Sequence, residues 1–177
     1  MGERWIIDRE TQLVLGRATG RNVRMPRLSR LSYLMGLYAE NHQKLREWID
    51  VRQLPVGTRW SVVADTLPVR LEVMEQHAFT TELRLSYELR DPHTGQLDPS
   101  AFVRVYHDTQ QAEVTHCYVG RNWQDAIGMT PPSEMLYAHR LQMNVFLGKW
   151  LDFLASQGHG QQSEWLDRLP ESPVVVG

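Results

Sequence analysis

The chain has 177 residues, of which 42% are hydrophobic and 23% charged, values typical of one soluble globular domain. A formal net charge of −2 and a sequence pI of about 6.4 argue against a dedicated nucleic-acid-binding protein, which usually has a basic domain. The single cysteine, Cys117, excludes an intramolecular disulfide, and no apolar run approaches the roughly 20 residues that span a bilayer. We therefore expect a cytoplasmic protein that does not enter the membrane.

Residues 1–27 are expected to form an N-terminal extension, in which the apolar residues at 5–7 and 12–15 are spaced for a short hairpin. An arginine-rich segment follows at residues 17–30. It has two interpretations, a phosphate- or membrane-seeking arm or a solvated linker. We favour the linker, because no aromatic side chains are interleaved with the arginines to stack on bases.

Apolar residues recur at three- and four-residue steps from Leu28 to about Asp50, which predicts an amphipathic helix. Pro26 precedes this stretch and the segment 55–57, Pro-Val-Gly, follows it, as expected at the two ends of a helix. The predicted buried stripe consists of Leu31, Leu34, Met35, Tyr38, Leu45, Trp48 and Ile49.

The period changes to two from Trp60 onward, which predicts strands. After a first strand at 60–64, residues 69–74 and 81–89 alternate and are expected to pair as a hairpin around a three-residue loop at 77–79. The register that sets apolar residues opposite each other pairs Val73 with Leu83, Leu71 with Leu85 and Val69 with Tyr87. A slip of one residue would turn every side chain to the wrong face.

A second hairpin is predicted from residues 102–107 and 111–116, with Thr109 and Gln110 as a two-residue turn. This register places Asp108 opposite Gln111, Tyr106 opposite Glu113, Arg104 opposite Thr115, Val105 opposite Val114 and Val103 opposite His116. The side chains of Val103, Val105, Ala112 and Val114 then share the core face of the sheet.

Residues 120–133 are expected to be a loop, with Ser133 capping a helix from about Glu134 to Ser156. Residues 159–177 are expected to be a peripheral tail. The order of elements indicates an α+β fold. We predict an antiparallel meander of four or five strands, covered on its apolar face by an N-terminal and a C-terminal helix, all within one domain at 28–158.

Four stretches of this sequence are similar to a known family. They are LYAENHQKL from Leu37, LEVMEQHAFTTEL from Leu71, VRVYHDTQQAEV from Val103 and QMNVFLGKWL from Gln142. In this order they resemble the YqiB-like family, a bacterial domain of unknown function, over roughly residues 30–158. The resemblance implies a small cytoplasmic bacterial protein and brings no established activity with it.

The adjacent His107 and Asp108 do not predict a metal site. Neighbouring side chains on a strand point to opposite faces, so these two cannot hold one ion together. The other histidines lack the spacing of a metal motif such as HExxH. Cys117 lies on a predicted strand without a nucleophile motif around it. We therefore expect neither a metal nor a cofactor.

A candidate polar pocket is expected where the two hairpin tips meet. The apolar row of the first hairpin continues into Glu75, and that of the second continues into His107, so that Glu75, Thr81 and His107 would face one another. The C-terminal helix would roof this pocket and contribute Arg140, Gln142 or Asn144. The alternative is that these residues are polar only because hairpin tips meet water.

A second polar set is expected on the opposite face of the sheet. It consists of Arg104, Tyr106, Asp108 and Glu113. Cross-strand contacts among such residues stabilise a sheet by only about 0.2–1 kcal/mol each. They could equally mark a surface that binds a ligand or a partner.

Two functions are compatible with the sequence. We favour a non-catalytic binding or regulatory module for a protein partner or a small ligand, and a homodimer stays open. The alternative is a hydrolase or transferase that acts on a nucleotide or phosphorylated metabolite through His107 and Glu75. The enzyme predicts a concave pocket around His107. The binding module predicts an exposed apolar patch or an open sheet edge.

Overall fold

The computed structural model describes residues 29–119 and 132–169. Nearly all of the predicted N-terminal extension, including the arginine-rich segment up to residue 28, lies outside the described residues. So do most of the predicted loop, at 120–131, and the end of the predicted tail, at 170–177.

Helix α1 spans Arg30–Trp48, close to the predicted bounds, and a short 3-10 turn follows at Val51–Gln53. The helix begins where the Ser29 hydroxyl accepts a hydrogen bond from the Ser32 backbone N–H at 3.1 Å. Its buried residues are Leu34, Tyr38, Asn41, Leu45 and Trp48. Leu31 was predicted to belong to this stripe but is 64% exposed, because it lies on the outer side of the first turn.

One antiparallel sheet has six strands in the order β5-β4-β3-β2-β1-β6. The strands are β1 (Gly57–Val62), β2 (Val69–Gln76), β3 (Thr80–Tyr87), β4 (Ser100–Tyr106), β5 (Gln111–Tyr118) and β6 (Glu164–Leu166). Strands β1 to β5 pair with their neighbours in sequence and form the predicted meander. The short strand β6 pairs with β1 at the far edge, so the sheet has six strands and not four or five.

The first hairpin has the predicted register. Val73 lies opposite Leu83, Leu71 opposite Leu85 and Val69 opposite Tyr87, and the loop at 77–79 has three residues. A bulge then interrupts β2 at Met74, and pairing resumes with Glu75 opposite Glu82. Because directly opposed residues share a face, the extra residue moves Glu75 away from the face that its spacing predicted.

The predicted register of the second hairpin is wrong by two residues. Tyr106 lies opposite Gln111, Arg104 opposite Glu113, Val105 opposite Ala112 and Val103 opposite Val114. The turn has four residues, His107 to Gln110, and Gln110 closes it with a φ of 54°. Within it the Asp108 carboxylate accepts from the Thr109 backbone N–H at 2.9 Å. Because the error is an even number, the apolar side chains stay on the core face.

Helix α2 spans Ser133–Ser156, and Ser133 is its first residue rather than its cap. Pro132 occupies the cap position, where its ring fixes an extended start but offers no side-chain acceptor. Buried residues of both helices pack in one core with those of the sheet. The two helices run in the same direction, since Arg30 pairs with Glu134 and Lys44 with Asp152. Neither described helix is long and apolar enough to cross a membrane.

The segment after α2 contributes to the packed interior. His159 is buried, with Nδ1 2.8 Å from the Ser61 hydroxyl and Nε2 3.0 Å from the Thr66 hydroxyl. Trp165 of β6 packs edge-on against Trp48 of α1, with 5.3 Å between ring centroids. These contacts fasten the chain after α2 to both the sheet and the first helix.

Candidate functional site

The hairpin tips lie side by side and bring together two of the three residues predicted to share a polar pocket. His107 Nε2 lies 2.8 Å from the hydroxyl of the fully buried Thr81. The His107 backbone N–H donates to the Phe79 carbonyl at 2.8 Å. Burial, reinforced by the guanidinium of Arg52, lowers the pKa of His107 below its ordinary value.

Glu75 does not join this pair. The bulge at Met74 places it opposite Glu82, on the face of the sheet away from the helices. Its carboxylate contacts the exposed His77 at 3.2 Å. Gln76 takes the position on the helix side, opposite Thr81. Because of this one extra residue in β2, Glu75 does not face His107, and the predicted juxtaposition does not form.

The element beside His107 is α1 rather than the predicted α2. A cavity at this place is lined by α1 residues such as His42. Asn144 of α2 is fully buried elsewhere, where its Oδ1 accepts from the Val114 backbone N–H at 3.0 Å. Gln142 is exposed. The predicted pocket residues on α2 thus lie apart from His107.

The predicted surface set is mostly assembled into two pairs on the open face, which is the face that the helices leave uncovered except at the edge strand β5. Three members, Arg104, Tyr106 and Glu113, lie on β4 and β5, and Asp108 lies in the turn. Arg104 binds the carboxylate of Glu82 at 2.6 Å. The Tyr106 hydroxyl donates to Glu113 at 2.7 Å, and Arg140 donates to the same carboxylate at 3.2 Å. These charges satisfy one another.

A cavity of about 750 Å³ lies on this open face, beside the surface set. We call it the open-face cavity and define it by Arg84, Arg90, Arg104, Glu82, Phe102 and His116, which line it. Strands β3 to β5 form its floor, and the segment Arg90 to Leu97 forms one wall. Three arginines and one glutamate give it an excess of positive charge.

Arg84 is the unusual residue of the open-face cavity. Its guanidinium lies over the Phe102 ring at 5.0 Å and donates to the Ser100 hydroxyl at 3.4 Å. It makes no ion pair with any carboxylate of the described residues, and its Nε is buried without a hydrogen-bond partner there. Burial lowers the pKa of Arg84, and the nearby cations Arg70 and Arg90 act in the same direction, whereas the carboxylate of Glu72 on the neighbouring strand opposes them.

Sequence reasoning missed Arg84, Arg90, Phe102 and His116 as possible site residues. One signal was available, because alternation already placed Phe102 on the same face as Arg104, and a large aromatic on a polar face is unusual. The role of Arg90 could not be found in this way. It depends on how the connection between β3 and β4 folds back over the sheet.

A second, smaller cavity of about 230 Å³ lies between α1 and the tip of the second hairpin. We call it the hairpin-tip pocket and define it by His42, Arg46, Asp50, Arg52, His107 and Gln110. Burial lowers the pKa of His42, and the cationic Arg46 and the neighbouring His107 act in the same direction. The two imidazoles are therefore close enough to influence each other.

Cys117 borders the open-face cavity but is not a candidate nucleophile. Its side chain is buried, and burial raises the pKa of the thiol to about 12. We expect native protein at about pH 8 to resist iodoacetamide and urea-unfolded protein to be alkylated readily, because only a thiolate in contact with solvent reacts. Mass spectrometry measures the difference. Rapid labelling of the native protein would contradict this assignment.

Within residues 29–119 and 132–169, no three histidine, cysteine, aspartate or glutamate side chains come together so that they could hold a metal ion. A family model described as a protein of unknown function (DUF1249) matches residues 44–160, from near the C-terminal end of α1 to just beyond α2. The chain belongs to this family. No curated protein and no solved structure matches it.

Proposed function

We propose that this member of the DUF1249 family is a non-catalytic binding module, and that it holds a small organic anion in the open-face cavity. The observation that carries the proposal is the partly buried guanidinium of Arg84, which forms no ion pair within residues 29–119 and 132–169 and whose Nε has no hydrogen-bond partner there. A buried cation costs free energy unless an anion compensates it. A carboxylate or phosphate group that binds Arg84 would supply the missing partner through a charge-assisted hydrogen bond.

The rest of the cavity favours a ligand with a flat, apolar body. Phe102 and His116 stand edge to face with 6.0 Å between ring centroids, next to the guanidinium of Arg84. Aromatic rings pack well in this arrangement. Arg90 adds a second positive charge without an ion pair among the described residues, whereas Glu82 already neutralises Arg104. An aromatic carboxylate or phosphate fits these features.

Binding is favoured over catalysis by what the open-face cavity offers to a ligand. The hydroxyls of Ser86 and Ser100 are fully buried, and the Cys117 thiol stays protonated. The Thr115 hydroxyl lies 3.1 Å from His116 Nδ1 but donates its proton to the Phe102 carbonyl at 3.3 Å. The described part of the cavity therefore presents cations, aromatic rings and a hydroxyl that the backbone already engages. The enzyme alternative through His107 and Glu75 loses its premise, since the two residues lie on different faces.

Three further expectations from the sequence form part of this proposal. We propose that the family is the YqiB-like group of bacterial proteins, on the four stretches that resemble it. We place the protein in the cytoplasm, in keeping with its single, buried cysteine. A protein partner or a second copy of the chain stays a proposal beside the small ligand, and nucleic acid is not expected.

A pair of nearly identical probes tests the proposal. Benzoate and benzamide share the same ring, but only benzoate carries a negative charge. We expect benzoate, and phenyl phosphate likewise, to raise the melting temperature while benzamide has no effect. Replacing Arg84 with methionine should weaken benzoate binding by about tenfold or more, since a hydrogen bond to a charged group contributes about 1.5–3 kcal/mol. The melting temperature of unliganded Arg84→Met should not fall.

The control is Arg59→Met, because Arg59 lies on β1 outside the cavity, where it pairs with Asp167 at 3.5 Å. This variant should bind benzoate as the wild type does. Equal binding of benzoate and benzamide, or wild-type affinity in Arg84→Met, would contradict the proposal. The absence of any effect from either anion at high millimolar concentration would contradict it as well.

A further inference from the structure

We infer that the hairpin-tip pocket is a second and separate binding site, for a tetrahedral oxyanion such as a phosphate group. Two guanidinia and two imidazoles line it, those of Arg46, Arg52, His42 and His107. At about 230 Å³ the pocket is too small for a large organic ligand but accommodates one such ion or the phosphate end of a larger molecule. This inference does not depend on the open-face cavity.

The guanidinia of the hairpin-tip pocket have no anionic partner in the described part of the chain. Neither Arg46 nor Arg52 forms an ion pair there. The Gln161 side chain donates to the Arg46 backbone carbonyl, and the Gln76 side chain donates to that of Arg52, so neither contact engages a guanidinium. The nearest acidic lining residue, Asp50, accepts from the Arg52 backbone N–H at 3.2 Å. These three exposed residues therefore supply two cations and one carboxylate, of which the Oδ1 atom is already engaged.

The imidazole of His107 is held in place before any ligand binds. Its Nε2 shares a hydrogen bond with the buried Thr81 hydroxyl, and its backbone N–H is fixed by Phe79. A site whose groups are already oriented loses less entropy when it binds. Arg46 also lies in the last turn of α1, where the helix dipole stabilises a positive charge, so its position there has a structural reason as well. That dipole does not explain Arg52 or the two histidines.

The charges around the imidazoles determine how the site responds to pH. His42 faces Arg46 and His107, and His107 faces Arg52 together with the carboxylates of Asp50 and Asp108. Without a ligand, burial and the arginines keep both rings neutral near pH 7. A bound oxyanion stabilises the protonated rings, and by linkage protonation strengthens binding. Affinity should therefore rise as the pH falls.

Sulfate is the probe for this site, because it stays a dianion between about pH 6 and about pH 8, so that any pH dependence comes from the protein. We expect sulfate to bind about tenfold more tightly at the lower pH, as an opposite charge shifts a pKa by about one unit or more. The imidazole NMR signals of His42 and His107 should titrate at higher pH when sulfate is present. This readout uses the wild-type protein and does not depend on how a variant folds.

Variants separate the contributions of the pocket residues. Arg52→Gln should weaken sulfate binding at both pH values, and His107→Gln should reduce the pH dependence. His77→Gln is the matched control, since His77 lies exposed on the neighbouring tip and binds Glu75. It should behave as the wild type does. Tighter binding of glycerol phosphate than of inorganic phosphate would support a phosphate ester as the ligand, and the reverse would support the free ion.

Unchanged signals of His42 and His107 at high sulfate concentration would overturn the inference, and so would wild-type affinity in Arg52→Gln. Arg84→Met separates the two sites, because it should leave sulfate binding at the hairpin tip intact. If sulfate perturbs only the open-face cavity, the second site fails while the proposed function stands. If benzoate fails at Arg84 but sulfate acts on His107, only the second site stands.

Discussion

Asn144→Ala is expected to lower the free energy of unfolding by about 2–4 kcal/mol, the largest effect of any single substitution considered for this protein. Asn144 is fully buried and joins three elements. Its Oδ1 accepts from the Val114 backbone N–H on β5 at 3.0 Å, and its Nδ2 donates to the Arg140 carbonyl at 2.8 Å. The side-chain amide of Asn41 on α1 donates to the backbone carbonyl of Asn144 at 3.1 Å.

The cost of this substitution comes mainly from Val114. Strand β5 is an edge strand of the sheet, and its Val114 N–H donates to Asn144 of α2 rather than to another strand. Alanine would leave this donor buried without a partner, which costs about 1–3 kcal/mol beyond the lost contact. It would also leave a strand edge less well covered.

Gln142→Ala is the matched control, because Gln142 lies two residues away on the same helix but is exposed. It should change stability by no more than about 0.5 kcal/mol. Urea unfolding of the two variants measures the difference. Similar stabilities for both would mean that Asn144 does not hold the edge strand to the helices.

His159 is expected to make the stability of the fold depend on pH. Its two ring nitrogens bind the hydroxyls of Ser61 and Thr66, and burial lowers the pKa of the ring. The unfolded chain takes up a proton near pH 6.5, whereas the folded chain resists it. His159 therefore contributes its full stabilisation above about pH 6.5 and loses it as the pH falls below that value.

His159→Gln tests this contribution, since glutamine can donate and accept hydrogen bonds but does not titrate. At about pH 8 the variant should be less stable than the wild type by about 1–3 kcal/mol, and the difference should shrink toward about pH 5. His93→Gln, at an exposed side chain, is the control. Urea unfolding at several pH values gives the curves. Parallel curves for wild type and His159→Gln would contradict the role of His159.

The fold was largely predictable because its strongest pattern is local. Strict alternation on β2 and β3 leaves one register that sets apolar opposite apolar, and Val73 pairs with Leu83 as expected. The register of the second hairpin was harder to predict, because its tip residues are polar and fit turns of two or four residues equally well. The left-handed conformation of Gln110, which closes the longer turn, carries no sequence signature as a glycine would.

The candidate site was less predictable, because it depends on one extra residue and on tertiary contacts. The bulge at Met74 follows from no motif, yet it separates Glu75 from Thr81 and His107. Pairing of charges is also invisible in the sequence. Arg84 and Arg104 lie on neighbouring strands, but only Arg104 forms an ion pair within the described residues, because Glu72 opposite Arg84 pairs with Arg70 instead.

The most direct test of the central claim is the NMR signal of the Arg84 Nε–H, because this donor is buried without a partner in the described residues. We predict that benzoate shifts this signal and slows its exchange with water, while benzamide leaves both unchanged. A signal that stays fixed under saturating benzoate, or that responds equally to benzamide, would contradict the claim that Arg84 binds an organic anion.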